Sequence, residues 1–211
     1  MKIELSIPES LKEITLAQYQ KWVKIIENEQ LSTFFQQKMI EIFCNAKLET
    51  VLQMKVKDVD EVTQHIDNLF NEKPDFIPTF ILNDIEYGFI PQLDEMTFGE
   101  YIDLDSFLAD WQTMSKAMSV LFRPIKYKRN DKYLIEDYES SDKYNLSQMP
   151  LSVVMGALVF FCNLKSELQK HILSYLKTQD SVVIPQELKD SLASGVGINL
   201  FTPYQREILE N

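Results

Sequence analysis

A mainly α, α+β fold is predicted for this chain: a compact helical body with a duplicated capped helical unit and two short β-hairpins. Three observations predict it. First, the segment Ile7-Pro8-Glu9-Ser10-Leu11-Lys12-Glu13-Ile14-Thr15-Leu16-Ala17-Gln18-Tyr19 recurs, one residue shorter, as Ile90-Pro91-Gln92-Leu93-Asp94-Glu95-Met96-Thr97-Phe98-Gly99-Glu100-Tyr101. Second, apolar residues follow each copy at helical spacing. Third, two pairs of apolar or aromatic runs are interrupted by short polar turns. With 45% hydrophobic residues over 211 positions, the chain can supply a sizeable core. Five glycines, eight prolines and the lack of a low-complexity linker predict one compact domain over 1–211. Within it two similar halves, 1–77 and 78–178, precede a C-terminal extension, 179–211.

In each copy of the repeat a Thr stands three residues before a Gln or Glu: Thr15 with Gln18, Thr97 with Glu100. This is the capping-box pattern, in which the hydroxyl bonds the third helical N–H and the N3 side chain reaches back to the cap. Ile14 and Met96 are placed to form hydrophobic staples with Tyr19 and Tyr101. Past the first cap, Leu16, Tyr19, Val23 and Ile26 define one face of an amphipathic helix. Ser32 is read as the cap of a helix through Phe34, Phe35, Met39, Ile42 and Phe43, and Asp58 as the cap of another carrying Val59, Val62, Ile66, Leu69 and Phe70.

Thr79-Phe80-Ile81-Leu82 and Ile85 to Ile90 flank Asn83-Asp84, which predicts a hairpin. Past the second cap, Phe107, Leu108, Trp111, Met114, Met118 and Leu121 share a helical face, with Asp105 as cap and Pro124 as stop. Met118 to Phe122 echoes Met39 to Phe43, extending the duplication to a helical pair. A second hairpin is expected from Ile125 to Lys128, a tip Arg129-Asn130-Asp131, and Lys132 to Tyr138. Pro150 opens the apolar helix Leu151 to Leu164, and Leu168, Ile172, Tyr175 and Leu176 carry its continuation or a following helix. Ile184-Pro185-Gln186-Glu187-Leu188 repeats the Ile-Pro-x-x-Leu start once more, and Gly195-Val196-Gly197 reads as a plain turn, with Phe201 and Tyr204 as anchors beyond it.

Composition narrows the function. A formal charge of -11 repels nucleic-acid phosphates over most of the surface, so no direct nucleic-acid contact is expected. The alternating N-terminal stretch has no signal-peptide core, and the mostly apolar stretch of fourteen residues ending at Leu164 falls short of the roughly 20 that span a bilayer, so no membrane association is expected either. Cys44 and Cys162 lie in apolar runs, where a thiol behaves as a small hydrophobe. Each of the two histidines, His65 and His171, has a single Glu one turn earlier, too few ligands for a closed zinc site. The acidic run Glu100, Asp103, Asp105 fails the calcium-loop pattern because Phe107 and Leu108 occupy its middle. No cofactor, metal or catalytic residue is assigned.

One constellation stands out: Arg123, Lys126, Tyr127, Lys128, Arg129 and Lys132, a cationic stretch with an aromatic residue inside it. Glu136, Asp137, Glu139 and Asp142 follow, which predicts partial neutralisation across the hairpin. What remains suits an acidic protein partner better than nucleic acid.

The Ile-Pro and Leu-x-Glu-x-Thr starts, Tyr87 to Asp105, and Ala117-Met118-Ser119-Val120-Leu121-Phe122-Arg123-Pro124-Ile125 resemble small structural-block proteins of tailed bacteriophages, the crAss-like and related phages of Bacteroidetes. The likeness spans roughly Ile7 to Tyr175 and carries no motif tied to a chemistry. It implies a non-enzymatic virion structural or assembly protein of the portal, connector or tail region. The implied partners are other phage structural proteins, with a homo-oligomeric ring as one arrangement. The implied locations are the virion and, before assembly, the host cytoplasm. The alternatives are a cytoplasmic assembly chaperone not retained in the particle and a small phage protein that inhibits a host factor.

Overall fold

Both repeated threonines start helices, and both close complete capping boxes. In the computed structural model, which describes residues 5–27, 32–130, 132–161 and 163, α1 runs Leu16–Ile26 behind Thr15 and α5 runs Phe98–Phe107 behind Thr97. Gln18 N–H donates to Thr15 Oγ1 at 3.2 Å, and Thr15 N–H donates to Gln18 Oε1 at 2.9 Å. In the second copy Glu100 N–H reaches Thr97 Oγ1 at 3.3 Å, and Thr97 N–H reaches Glu100 Oε2 at 2.7 Å. Two orphan donors are satisfied at each helix start. The staple positions differ in burial: Ile14 and Tyr19 are both buried, whereas Tyr101 is 56% exposed.

The remaining helices follow the apolar periodicity, with shifted bounds. α2 (Ser32–Phe43) takes Ser32 as its first helical residue rather than its cap. A single turn, α3 (Leu48–Val51), precedes α4 (Val56–Phe70). The residue at the N-cap of α4 is Lys55, and Asp58 lies inside the first turn, where a carboxylate favours the helix dipole. Asp105 likewise lies within α5. The break comes later, where Asp110 accepts from Gln112 N–H at 2.8 Å and caps a short 3₁₀ turn, Trp111–Thr113, leading into α6 (Met114–Leu121). The single helix expected through this region is therefore two.

β1 (Thr79–Leu82) and β2 (Ile85–Phe89) form the first hairpin. Asn83 and Asp84 both have positive φ, 51° and 63°, the geometry of a type I′ turn that these residue types tolerate. α6 passes without a loop into β3 (Phe122–Arg129), which pairs with β4 (Lys132–Ile135). Pro124 sits inside β3, three residues after the helix has ended; it restricts the backbone of Arg123 to extended conformations. Arg129 pairs with Lys132, so it belongs to the strand rather than to the tip. The two hairpins join through Tyr87↔Pro124, Gly88↔Arg123 and Phe89↔Phe122, giving one antiparallel sheet in the order β1-β2-β3-β4.

A seventh helix, α7, is described over 151–161 and is buried at Leu151, Val153, Val154, Ala157 and Leu158. Its start is stitched to the first cap: Leu16 N–H donates to Met149 O at 3.0 Å, and Leu151 N–H donates to Ile14 O at 2.8 Å. Gly156 lets the helix approach the chain at Asp75, because a Cβ there would lie 2.4 Å from the Asp75 carbonyl oxygen. No described helix is long and apolar enough to cross a membrane. One cluster of buried side chains extends from Leu11 to Leu158, so α1, α2, α4, α6, α7 and the sheet share a core. The fold is α+β, as predicted. The helical continuation after Leu164, His171, the third Ile-Pro start and the Gly195 turn lie outside the described residues.

Candidate partner-binding surface

The cationic stretch divides once it is folded. Arg123 is 7% exposed and packs against α5: its guanidinium meets Glu100 Oε1 at 2.8 Å, with the Tyr138 ring 5.8 Å from its Cζ. Its Nε is buried and has no hydrogen-bond partner among the described residues. Arg123 thus holds α5 against β3 and is not part of an accessible patch. Asp103 accepts from the Tyr138 hydroxyl beside it. Burial first, then this bond, pushes the Tyr138 phenol up to about 12.

The next two cations are neutralised. Lys126 meets Asp137 at 2.8 Å, and Lys128 pairs with Glu86 of β2. Asp137 is correspondingly held below the usual carboxylate range by its bond from Lys126. A second carboxylate, Glu136, is lowered by bonds from the Tyr144 hydroxyl and from Lys143. The cross-hairpin neutralisation expected from the sequence is therefore present at Lys126, and a neighbouring strand supplies it for Lys128.

Strand register sorts what is left. Residues directly opposite in an antiparallel pair share a face, as do residues two apart along a strand. Lys128↔Tyr133 lies on one face, where Tyr133 covers Gly88: a Cβ on Gly88 would fall 2.5 Å from the Tyr133 ring. The Tyr133 hydroxyl donates to Phe89 O at 2.9 Å, fixing the ring there. The opposite face carries Tyr127↔Leu134 and, next along, Arg129↔Lys132. Tyr127 is 59% and Leu134 64% exposed, and among the described residues no carboxylate pairs with Arg129 or Lys132. An apolar pair followed by a cationic pair is thus presented on a two-stranded ribbon. Leu134 escaped the sequence reading because a leucine in a strand reads as core; its alternation with Tyr133 and Ile135 was the available signal.

A second surface lies on the helices. Between α1, α2 and α4 runs a groove of about 840 Å³. Its floor is Tyr19, Trp22, Val23, Met39 and Phe70, each left 6–8% exposed, whereas much of the central core is at zero. Ile26 and Phe35 flank it, and Glu27, Asp60 and Asp67 supply the charge of its lining, which among the described residues contains no lysine or arginine. Gln36 donates to Asp60 Oδ1 at 2.9 Å, bracing α2 against α4 at the rim. No local pattern marks this groove, since its floor residues are ordinary members of three amphipathic stripes.

Of the histidines and cysteines, His65 and Cys44 are described, and Cys162 and His171 lie outside the described residues. His65 Nε2 lies 2.9 Å from the Pro8 carbonyl oxygen. Cys44 is buried, and burial pushes its thiol up to about 11, leaving it protonated at neutral pH. Among the described residues no group of three His, Cys, Asp or Glu side chains is arranged to hold a metal ion. Compared with protein-family models, curated proteins and solved structures, the chain matches none.

Proposed function

We propose that this chain is a non-enzymatic structural or assembly protein of a tailed-phage virion, in the portal, connector or tail region, acting through protein–protein contacts. The observation that carries the reading is the β3–β4 ribbon. It holds Tyr127 and Leu134 in solvent beside Arg129 and Lys132, on a protein whose formal charge is -11. An exposed tyrosine beside an arginine has the composition of an interface centre, where aromatic residues and arginine are enriched, and Leu134 adds apolar area to it. An acidic, partly apolar surface on a neighbouring virion subunit is the matching partner. The sequence likeness to phage structural-block proteins supports the virion setting.

Mass spectrometry of purified particles, with copy numbers, tests it. The expected result is stoichiometric presence at a number set by a ring symmetry. Abundance in infected lysate with absence from particles would replace this reading with that of an assembly chaperone. A Tyr127→Ser/Leu134→Ser variant is expected to fold normally, since both side chains are exposed, and to fail in particle assembly. Normal particles from that variant would remove the hairpin as the contact.

A further inference from the structure

We infer that the groove between α1, α2 and α4 receives the β3–β4 hairpin of a second copy of this chain. The inference rests on the reading of that hairpin as a contact surface and names what it contacts. The two surfaces match in two layers. Tyr127 and Leu134 form the apolar layer of the ribbon, and the aromatic and aliphatic floor around Trp22 and Met39 forms that of the groove. Beyond the apolar pair the ribbon ends in Arg129 and Lys132, and the groove is edged by Glu27 and Asp60, both exposed.

Charge makes the pairing selective. Two copies of a -11 protein repel at long range, so a self-contact needs local opposite charge to offset that repulsion. The ribbon tip and the groove rim provide it, one on each partner. Lys126 and Lys128 do not compete, being tied to Asp137 and Glu86. The groove volume of about 840 Å³ lies within the roughly 300–1,000 Å³ of sites that enclose several large groups, enough for two side chains on a ribbon. Ribbon and groove are different surfaces of one chain: exchanged reciprocally between two copies they make a two-fold dimer, and passed on from copy to copy they make a ring or a filament.

Sedimentation velocity on the full chain, over a concentration series at low and raised salt, tests the inference. Reversible self-association that weakens with salt is expected. Arg129→Glu with Lys132→Glu, and separately Glu27→Lys with Asp60→Lys, should each weaken it by about tenfold or more. Mixed together, these two charge-reversed proteins should form a hetero-complex, because the reversed hairpin of one faces the reversed groove of the other. Leu134→Ser, which alters no charge, should weaken association as well. Circular dichroism melts establish that each variant is folded. A wild-type chain that stays monomeric throughout, association indifferent to the groove variants, or folded variants that fail to combine on mixing would each overturn the self-contact. A monomeric chain nonetheless found stoichiometrically in particles would sink the self-contact while leaving the virion reading intact.

Discussion

The ion pair between Glu100 and Arg123 offers the most demanding test of how this fold is held. The two side chains meet at 2.8 Å and are only 5% and 8% exposed. Replacing Arg123 by Met keeps most of the buried volume and removes the cation, leaving a buried carboxylate that retains only the Thr97 N–H and hydroxyl. Breaking one side of a buried pair in this way costs about 3–5 kcal/mol. Glu100→Gln has a similar cost for the opposite reason: the amide still closes the capping box, as Gln18 does in the first copy, but the guanidinium loses its counter-charge. The double variant removes both charges and should cost only about 1–3 kcal/mol, the remainder coming from an amide N–H₂ without an acceptor. A coupling energy of at least about 2 kcal/mol is therefore expected from the double-mutant cycle. For a chain of this size each kcal/mol moves the melting midpoint by about 2–4 °C, so either single change should lower it by roughly 6–20 °C. Urea unfolding of the four proteins gives the cycle directly. Additive effects, or an Arg123→Met protein that melts within about 2 °C of wild type, would refute the assignment of Arg123 as the tie between α5 and the sheet.

Two further outcomes follow from the sheet and its flank. Gly88→Ala places a methyl 2.5 Å from Tyr133 and 3.0 Å from Ile125, and because the Tyr133 hydroxyl is bonded to Phe89 O the ring cannot simply swing away; a loss of about 1–3 kcal/mol in urea unfolding is expected, largely relieved in a Gly88→Ala/Tyr133→Ala background. Tyr138 is held neutral by burial and by its bond to Asp103, with its phenol raised to about 12 against about 10 in an unfolded chain. A raised acid stabilises the fold fully below the unfolded value and loses that contribution as pH climbs from about 10 to about 12, so stability measured across this window should fall less steeply in Tyr138→Phe than in wild type.

What could be read from the sequence is what is decided locally. Thr15-x-x-Gln18, Thr97-x-x-Glu100 and Asn83-Asp84 specify their caps and turn within a few residues, and each forms as read. The helix starts expected at Ser32, Asp58 and Asp105 rest on residue type alone, and each differs: Ser32 is the first residue of α2, Lys55 holds the N-cap of α4, and Asp110 caps the turn that leads into α6. Pairing of β2 with β3 was out of reach: α5 and α6 intervene, and only their packing brings Gly88 opposite Arg123. The same cause removed Arg123 from the cationic patch. In a run of lysines it reads as surface, and its carboxylate partner stands a whole helical pair earlier in the chain.

The duplicated motif shows how one changed atom type directs two copies to different neighbours. At both N3 positions one side-chain oxygen accepts from the cap, so the local role is conserved between Gln18 and Glu100. The second atom of the group is an N–H₂ in one case and an oxygen in the other. Gln18 Nε2 donates to the Ile42 carbonyl at 2.8 Å, tying α1 to the end of α2, whereas Glu100 Oε1 accepts from Arg123 and ties α5 to β3. A donor cannot serve a guanidinium, and a carboxylate facing a bare carbonyl would repel it, so the two residues are not interchangeable although the capping box accepts either. The first copy thereby closes helix on helix and forms one wall of the acidic groove; the second closes helix on sheet and braces the base of the strand that carries Tyr127 and Arg129 outward. Repetition supplied the two helix starts, and the divergence at N3 assigned one to the groove and the other to the ribbon.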